Sequence, residues 1–293
     1  MTSARIVVFG SANLDIVVPV PHHPSTGETV LGGDHVLVPG GKGANQAVAA
    51  ALLGGDVAFL GRVGDDDAGS RLRASLDAAG VDVTRLHTDD GAPSGIALIG
   101  VDATGDNAII VSPGANARVS PGDLDPDLLA DAAVTLLQLE VPVDAVLAAA
   151  RATGGTVILN PAPAVPLPEG LLDAIDILVP NRLELTALAG DGETVEQARS
   201  LGVPTVVVTL GADGALLVTG TEALHIPAPE VEVVDTTACG DAFCGALAEA
   251  LARGTDLRDA VKRAVQVGSL TATRPGAQTS LPSSAELVAA FGG

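Results

Sequence analysis

A three-layer αβα fold, with a mostly parallel central sheet and a small β-sheet lid, is what these 293 residues imply. First, six short apolar runs rich in β-branched residues recur: RIVVF (5–9), VAFLG (57–61), VTLLQL (134–139), TVILN (156–160), DILVP (176–180) and TVVVTLG (205–211). They are continuous rather than alternating, so each strand is buried on both faces, as in a parallel sheet covered by helices. Second, Ala/Leu-rich stretches of helical length separate the runs, which is the strand–helix rhythm of an α/β domain. Third, segments 14–39 and 93–113 break that rhythm with turn-rich punctuation (TGE, GGD, DATGDN). Around DATGDN, SGIALIGV and NAIIVS pair as a hairpin. The whole of 1–293 reads as a single domain with a sizeable core. Segments 14–39 and 93–113 are its lid, or alternatively an ordinary α+β insertion.

Glycines punctuate the helices. Gly43 to Gly54 frames the first, and Gly240 to Gly254 frames a late one with Phe243, Leu247 and Leu251 on one stripe. The charge balance, 15 basic against 36 acidic residues for a net −21, sets a strongly anionic surface. Such a surface repels phosphate backbones and anionic membranes, so neither nucleic acid nor membrane is an expected partner. The longest apolar run, AVAAALL (47–53), falls far short of the roughly 18 residues a membrane span needs. The apolar stretch near the N-terminus is too short for a signal peptide. Two cysteines, Cys239 and Cys244, suit neither a disulfide framework nor a zinc cluster. A cytoplasmic protein is expected. With no Trp, no Tyr and four Phe, a ligand here is small and polar, or gripped by aliphatic walls.

Ligands of open α/β sheets sit at the carboxyl ends of the strands. Polar residues follow the apolar runs at that edge: Asn13 and Asp15, then Glu140, Asn160, Asn181, and Thr209 with Gly211. Two glycine-bearing segments add to it. In PGGKGANQAVAAALLGG (39–55), Gly40, Gly41 and Gly43 permit close backbone approach, and Lys42 and Asn45 are placed to bind hydroxyls. Neither the Walker nor the GxGxxG spacing is met, and a plain turn at a helix start remains open. In VDTTACGDAFCGALAEALARG (234–254), a small-residue turn opens a helix, so amides of about 238–241 form an anion-binding nest. Asp241 lies in the first turn. It is either a partner of the helix dipole or a base that takes a proton from a hydroxyl attacking phosphorus.

The motifs GSANLD (10–15), GGKGANQAVAA (40–50), SPGAN (112–116), NPAPA (160–164), PNRLE (180–184), TLGADGA (209–215), DTTACGDAF (235–243) and TRPGAQTSLP (273–282) resemble, in order and spacing, the ribokinase-like (phosphofructokinase B type) carbohydrate kinases. The resemblance runs over essentially the whole length. It implies an ATP-dependent kinase with a sugar pocket of Asn13, Asp15, Gly41, Lys42, Asn45 and Glu140. Asp241 would be the base on the primary hydroxyl, with Ala238, Cys239 and Gly240 as the anion hole. Asn181 and Glu184 match the NxxE element that organises Mg²⁺ and phosphates through water, and Asn181, Thr209, Gly211 and Gly240 would face ATP. Asp235, Thr237, Thr271, Arg274, Gly276 and Ser280 match positions around a monovalent cation, K⁺, several through backbone carbonyls. The lid would pair two subunits into a homodimer.

Three positions depart from the pattern. Cys239 stands where the resemblance expects Ala or Gly, and Ala242 where it expects Thr or Ser. Val265 stands where a base-contacting His or Asn is common. A thiol at a helix N-terminus inside a nest of amides is expected to be reactive; a buried, inert Cys is the alternative. The five histidines (22, 23, 35, 87, 225) lie off the motifs and are read as surface or lid residues. The Asp65–Asp67 run is read as a solvated loop or helix start. The expected reaction is phosphorylation of a pentose primary alcohol, ribose giving ribose 5-phosphate. Other fructose-type, keto-deoxy acid or nucleoside substrates, or a catalytically silent sugar-binding regulator, are the alternatives.

Overall fold

The structure, a computed structural model, describes residues 4–292. Strand β1 (Arg5–Phe9) is followed by β2 (Asn13–Pro19), β3 (Val36–Gly40), α1 (Lys42–Leu52), β4 (Asp56–Gly64), α2 (Asp67–Ala78) and β5 (Leu86–Asp89). Then come β6 (Gly95–Val101), β7 (Asn107–Ser112), α3 (Pro126–Asp131), β8 (Val134–Leu137), α4 (Val143–Ala152), β9 (Thr156–Leu159) and β10 (Ile177–Leu178). The rest is α5 (Arg182–Ala189), α6 (Thr194–Ser200), β11 (Thr205–Thr209), β12 (Ala215–Thr219), β13 (Ala223–Ile226), α7 (Cys239–Ala252), α8 (Leu257–Thr271) and α9 (Ser284–Phe291).

Nine strands form the main sheet, in the order β13-β12-β11-β10-β9-β8-β1-β4-β5. It is parallel from β11 to β5, while β12 and β13 add an antiparallel hairpin at one edge. Alternate residues of β1 show why its apolar run is continuous. Ile6 and Val8 pack into a core with α1, α7 and α8, and Val7 and Phe9 pack into a second core with α3 and α4. All four are fully buried. Three layers follow directly.

From β1 the chain moves outward to β4 and β5, then returns to place β8 on the other side of β1. That reversal opens a crevice at the carboxyl ends of β1 and β8, the position where open α/β sheets bind ligands. A separate four-stranded sheet, β3-β2-β6-β7, stands over it. Its β6–β7 pair is the antiparallel hairpin expected around DATGDN. Gly245 lets α7 and α1 touch: a Cβ there would lie 2.6 Å from the Gln46 carbonyl oxygen. This contact brings the first turns of both helices to the crevice.

Candidate active site

The turn after β1 is clamped by one side chain. Asn116 accepts from the Ala12 amide at 3.0 Å and donates to the Ala12 carbonyl at 3.1 Å and to Asn13 Oδ1 at 2.8 Å. The start of α1 lies directly on this turn, because Gly41 has φ +89° and a Cβ there would lie 2.7 Å from the Asn13 nitrogen. The backbone amide of Lys42 donates to Glu140 Oε2 at 3.0 Å, and the Ser11 hydroxyl donates to the same oxygen at 2.5 Å. Glu140 is therefore held by one oxygen. Gly40 passes so close to Asp15 that any side chain would strike its carboxylate. Asp15 accepts no hydrogen bond among the described residues. Burial, with Glu140 and Asp241 nearby, pushes its pKa up to about 7. A desolvated carboxylate without a partner is a receptor for hydroxyl donors.

Asp241 sits in the first turn of α7 and is 8% exposed. Asn45 Nδ2 donates to its Oδ2 and Gln46 Nε2 to its Oδ1, both at 3.0 Å. Burial raises its pKa; the Lys42 charge and the two amide bonds work against that rise, while Glu140 adds to it. Around Lys42, burial opposes the ammonium, but Asp241, Glu140 and Glu184 outweigh it and raise its pKa. Asn45 Oδ1 is buried and unpartnered, a second acceptor awaiting a ligand.

Ala238 takes the left-handed conformation at φ 58° and turns the chain into α7. The Ala242 amide closes the first helical turn on the Ala238 carbonyl at 2.8 Å. The Cys239 amide is shared with the Thr236 carbonyl at 3.3 Å, and those of Gly240 and Asp241 donate to nothing among the described residues. The anion nest thus rests on Gly240 and Asp241 more than on Cys239. Beside it opens a cavity of about 870 Å³, lined by Asn181, Thr209, Gly211, Gly240, Phe243 and Val265 among others. Phe243 was legible only as a core stripe, yet it borders this cavity two residues after Asp241.

Asn181 and Glu184 have a structural role that the NxxE spacing alone already signals. Asn181 accepts from the Glu184 amide and Glu184 accepts from the Asn181 amide, both at 2.8 Å, a capping box that starts α5. Burial raises the Glu184 pKa, partly offset by that amide bond and by Lys42, with Asp241 adding to the rise. Asp66 behaves as a helix start, accepting from the Gly69 amide at 2.7 Å.

At the expected cation positions the side chains and the backbone carbonyls differ. Segments 234–237 and 271–280 are laced together, with Asp235 accepting from Thr237 and from the Gly276 amide, the latter at 2.8 Å. The Thr271 and Ser280 hydroxyls donate to the Val267 and Ala277 carbonyls, and Arg274 turns away to pair with Glu286 at 2.7 Å. These side chains bond to one another or to backbone and do not form a ring of ligands. The carbonyls of Thr237, Arg274 and Gly276 accept no hydrogen bond among the described residues. Bare carbonyl oxygens are hard, neutral donors and suit a large monovalent ion.

Of the two readings of Cys239, burial favours the inert one. Burial, with the Asp235 and Asp241 charges, pushes the Cys239 pKa up to about 11, which outweighs the helix terminus. Iodoacetamide at neutral pH should therefore label Cys239 slowly with or without nucleotide, and Cys239→Ala should keep near-normal turnover. Rapid labelling at this residue in peptide mapping would reverse that conclusion.

A chain that folds this way, with a buried carboxylate between a polar cup and a nucleotide-sized cavity lipped by free amides, is a small-molecule phosphotransferase. It belongs to the pfkB family of carbohydrate kinases, whose pattern matches residues 3–284. It is 38% identical to ribokinase of Staphylococcus aureus over 95% of this chain and 96% of that protein. It is 37% identical to deoxyribokinase of Salmonella typhimurium over 95% of both. The structure of Arabidopsis thaliana ribokinase complexed with ribose and ATP superposes with a TM-score of 0.89, at 33% identity and 98% coverage of both chains.

Proposed function

We propose that the protein transfers the γ-phosphoryl group of ATP to the primary hydroxyl of ribose, giving ribose 5-phosphate. The observation that carries this reading is Asp241. It faces the polar cup from the first turn of α7, while Gly240 of the same turn, whose amide is free, lines the large cavity. Asp15, Lys42, Asn45 and Glu140 hold the sugar hydroxyls with Asn13 and Gly41 behind them, and the nucleotide occupies the cavity. Asp241 takes the hydroxyl proton as the oxygen attacks phosphorus. The amides of Gly240 and Asp241 meet the charge that spreads over the equatorial oxygens, with Ala238 and Cys239 shaping the turn.

No group of three or more His, Cys, Asp or Glu residues gathers as a metal cage among the described residues. Mg²⁺ keeps waters and binds through one or two carboxylates plus substrate phosphates. Glu184, with one oxygen free of the capping box and Asn181 beside it, would hold it through water. Bound there, it would neutralise phosphate charge. A deoxyribose substrate is the second reading, favoured by the likeness to a deoxyribokinase. A coupled ADP-release assay across ribose, deoxyribose, fructose, adenosine and buffer decides, with ribose expected to give the highest kcat/KM. Turnover of none of the four would overturn the reading.

K⁺ on the free carbonyls of Thr237, Arg274 and Gly276 would stiffen the turn before α7 without touching substrate. Activity should rise several-fold with K⁺ over Na⁺ or Li⁺ at constant ionic strength, and equal rates in the three salts would remove the cation. We also infer a homodimer through the lid, in the cytoplasm. Strand β7 is an edge exposed along its whole length, with apolar Ile109, Ile110 and Val111 exposed on its two faces, a surface that a second lid would cover. Light scattering showing only monomer at micromolar concentration would count against it.

A further inference from the structure

Three side-chain amides behind Asp241 are used by nothing in the mechanism above. Gln46 and Gln138 are completely buried, and Asn160, half-buried, directly follows β9. Gln46 Nε2 donates to Asp241 Oδ1 at 3.0 Å and to Asn160 Oδ1 at 3.2 Å. Its Oε1 accepts from Gln138 Nε2 at 2.6 Å. Asn160 Nδ2 donates in turn to the Val179 carbonyl, just past β10, at 2.9 Å.

This array has a single polarity. The Val179 carbonyl can only accept, so the Asn160 amide nitrogen must face it and the Asn160 oxygen must face Gln46. Both hydrogens on Gln46 Nε2 are then committed, one to Asn160 and one to Asp241. Turning the Gln46 amide over would set its oxygen against a carboxylate and a second amide oxygen while two glutamine nitrogens faced each other. A backbone carbonyl of the sheet thereby dictates, through two side chains, that a donor meets the carboxylate. Gln138 completes the array at a cost: its own Oε1 is buried and unpartnered, pressed over Gly10. Retaining an orphaned acceptor in a core fits a residue kept for the bond its nitrogen makes.

We propose that Gln46, oriented by Asn160 and Gln138, is a positioning residue for phosphoryl transfer: it fixes the Asp241 carboxylate in one orientation and supplies the hydrogen bond its charged form requires. The proposal rests on Asp241 being the base. The other titratable groups around Asp241 are Lys42 on α1, Asp15 on β2, Glu140 after β8, Glu184 on α5, and the neutral thiols of Cys239 and Cys244 on α7 itself. Of these only Lys42 favours the carboxylate, so the donor from Gln46 is one of few supports for it.

The test is the pH profile of kcat in Gln46→Met, which keeps the side-chain length and removes the donor. Expected at neutral pH is a loss of roughly ten- to a hundredfold in kcat with little change in sugar KM, the range for a hydrogen bond to a buried charge. The acid limb of the profile should move up by about one pH unit, so that part of the activity returns at alkaline pH. Gln138→Met, which removes the donor to the Gln46 oxygen and a longer contact to the Leu136 carbonyl at 3.5 Å, should move the limb the same way by less, and it carries the test if Gln46→Met does not fold. A loss equal at every pH, a rise in KM with kcat intact, or an unmoved limb in the folded variants overturns the proposal. Asp241→Asn is assayed in parallel. Full activity there removes the base itself, whereas an inactive Asp241→Asn with unmoved limbs removes only the role of Gln46.

Discussion

Asp241→Asn leaves an enzyme that binds sugar and nucleotide but turns over about 10²–10⁴-fold more slowly, the loss that follows removal of a general base. The replacement is nearly isosteric, and Asn45 and Gln46 remain beside it. The asparagine can still accept one of those bonds, so the fold and ground-state binding survive while the proton acceptor is gone. Stopped-flow or steady-state kcat with ribose and MgATP, alongside calorimetric ribose binding, separates the two effects. A variant keeping more than half of its activity would sink the mechanism.

Asp15→Ala is expected to raise the KM for ribose by roughly a hundredfold, because the sugar hydroxyls proposed to donate to Asp15 lose a charged acceptor. The same residue gives binding a pH dependence with a definite sign. In the free protein its pKa stands at about 7 through burial and two neighbouring carboxylates. Hydroxyls that donate to the ionised form lower that value on binding, so the sugar displaces a proton. Affinity therefore rises as pH increases through about 7 and weakens below it. Titration calorimetry in buffers of different ionisation enthalpy reads the released proton directly. Unchanged KM and kcat in Asp15→Ala for every sugar tested would show that the pocket lies elsewhere.

The core strands and the two glycine-bearing helix starts were legible because each depends on local pattern. A run such as RIVVF must be buried on both sides whatever surrounds it, and Ile6, Val7, Val8 and Phe9 are. Strands β5, β12 and β13 escaped notice. β5 and β13 are the edge strands, with LHTD and ALHI half-polar, and β12 joins β13 to β11, so their pairing comes from neighbours rather than from composition. The nine-stranded sheet is thus broader than its six apolar runs imply.

Asn13, Asp15, Glu140, Asn181 and Asp241 could be named from the chain, since residue type and position after a strand or at a helix start announce them. Their partners could not. Ser11, Gln46 and Asn116 stand inside recognisable motifs and Gln138 outside them, but nothing local assigns their bonds, which form only because folding brings residues some 90 to 200 positions apart into hydrogen-bonding distance. The same holds for charge. The thiol of Cys239 belongs to a helix terminus by sequence, and its pKa is set by burial and by Asp235 and Asp241 across the turn. Local pattern decides which backbone forms and where polar groups can stand. Distance and desolvation, which act through space, decide what those groups do.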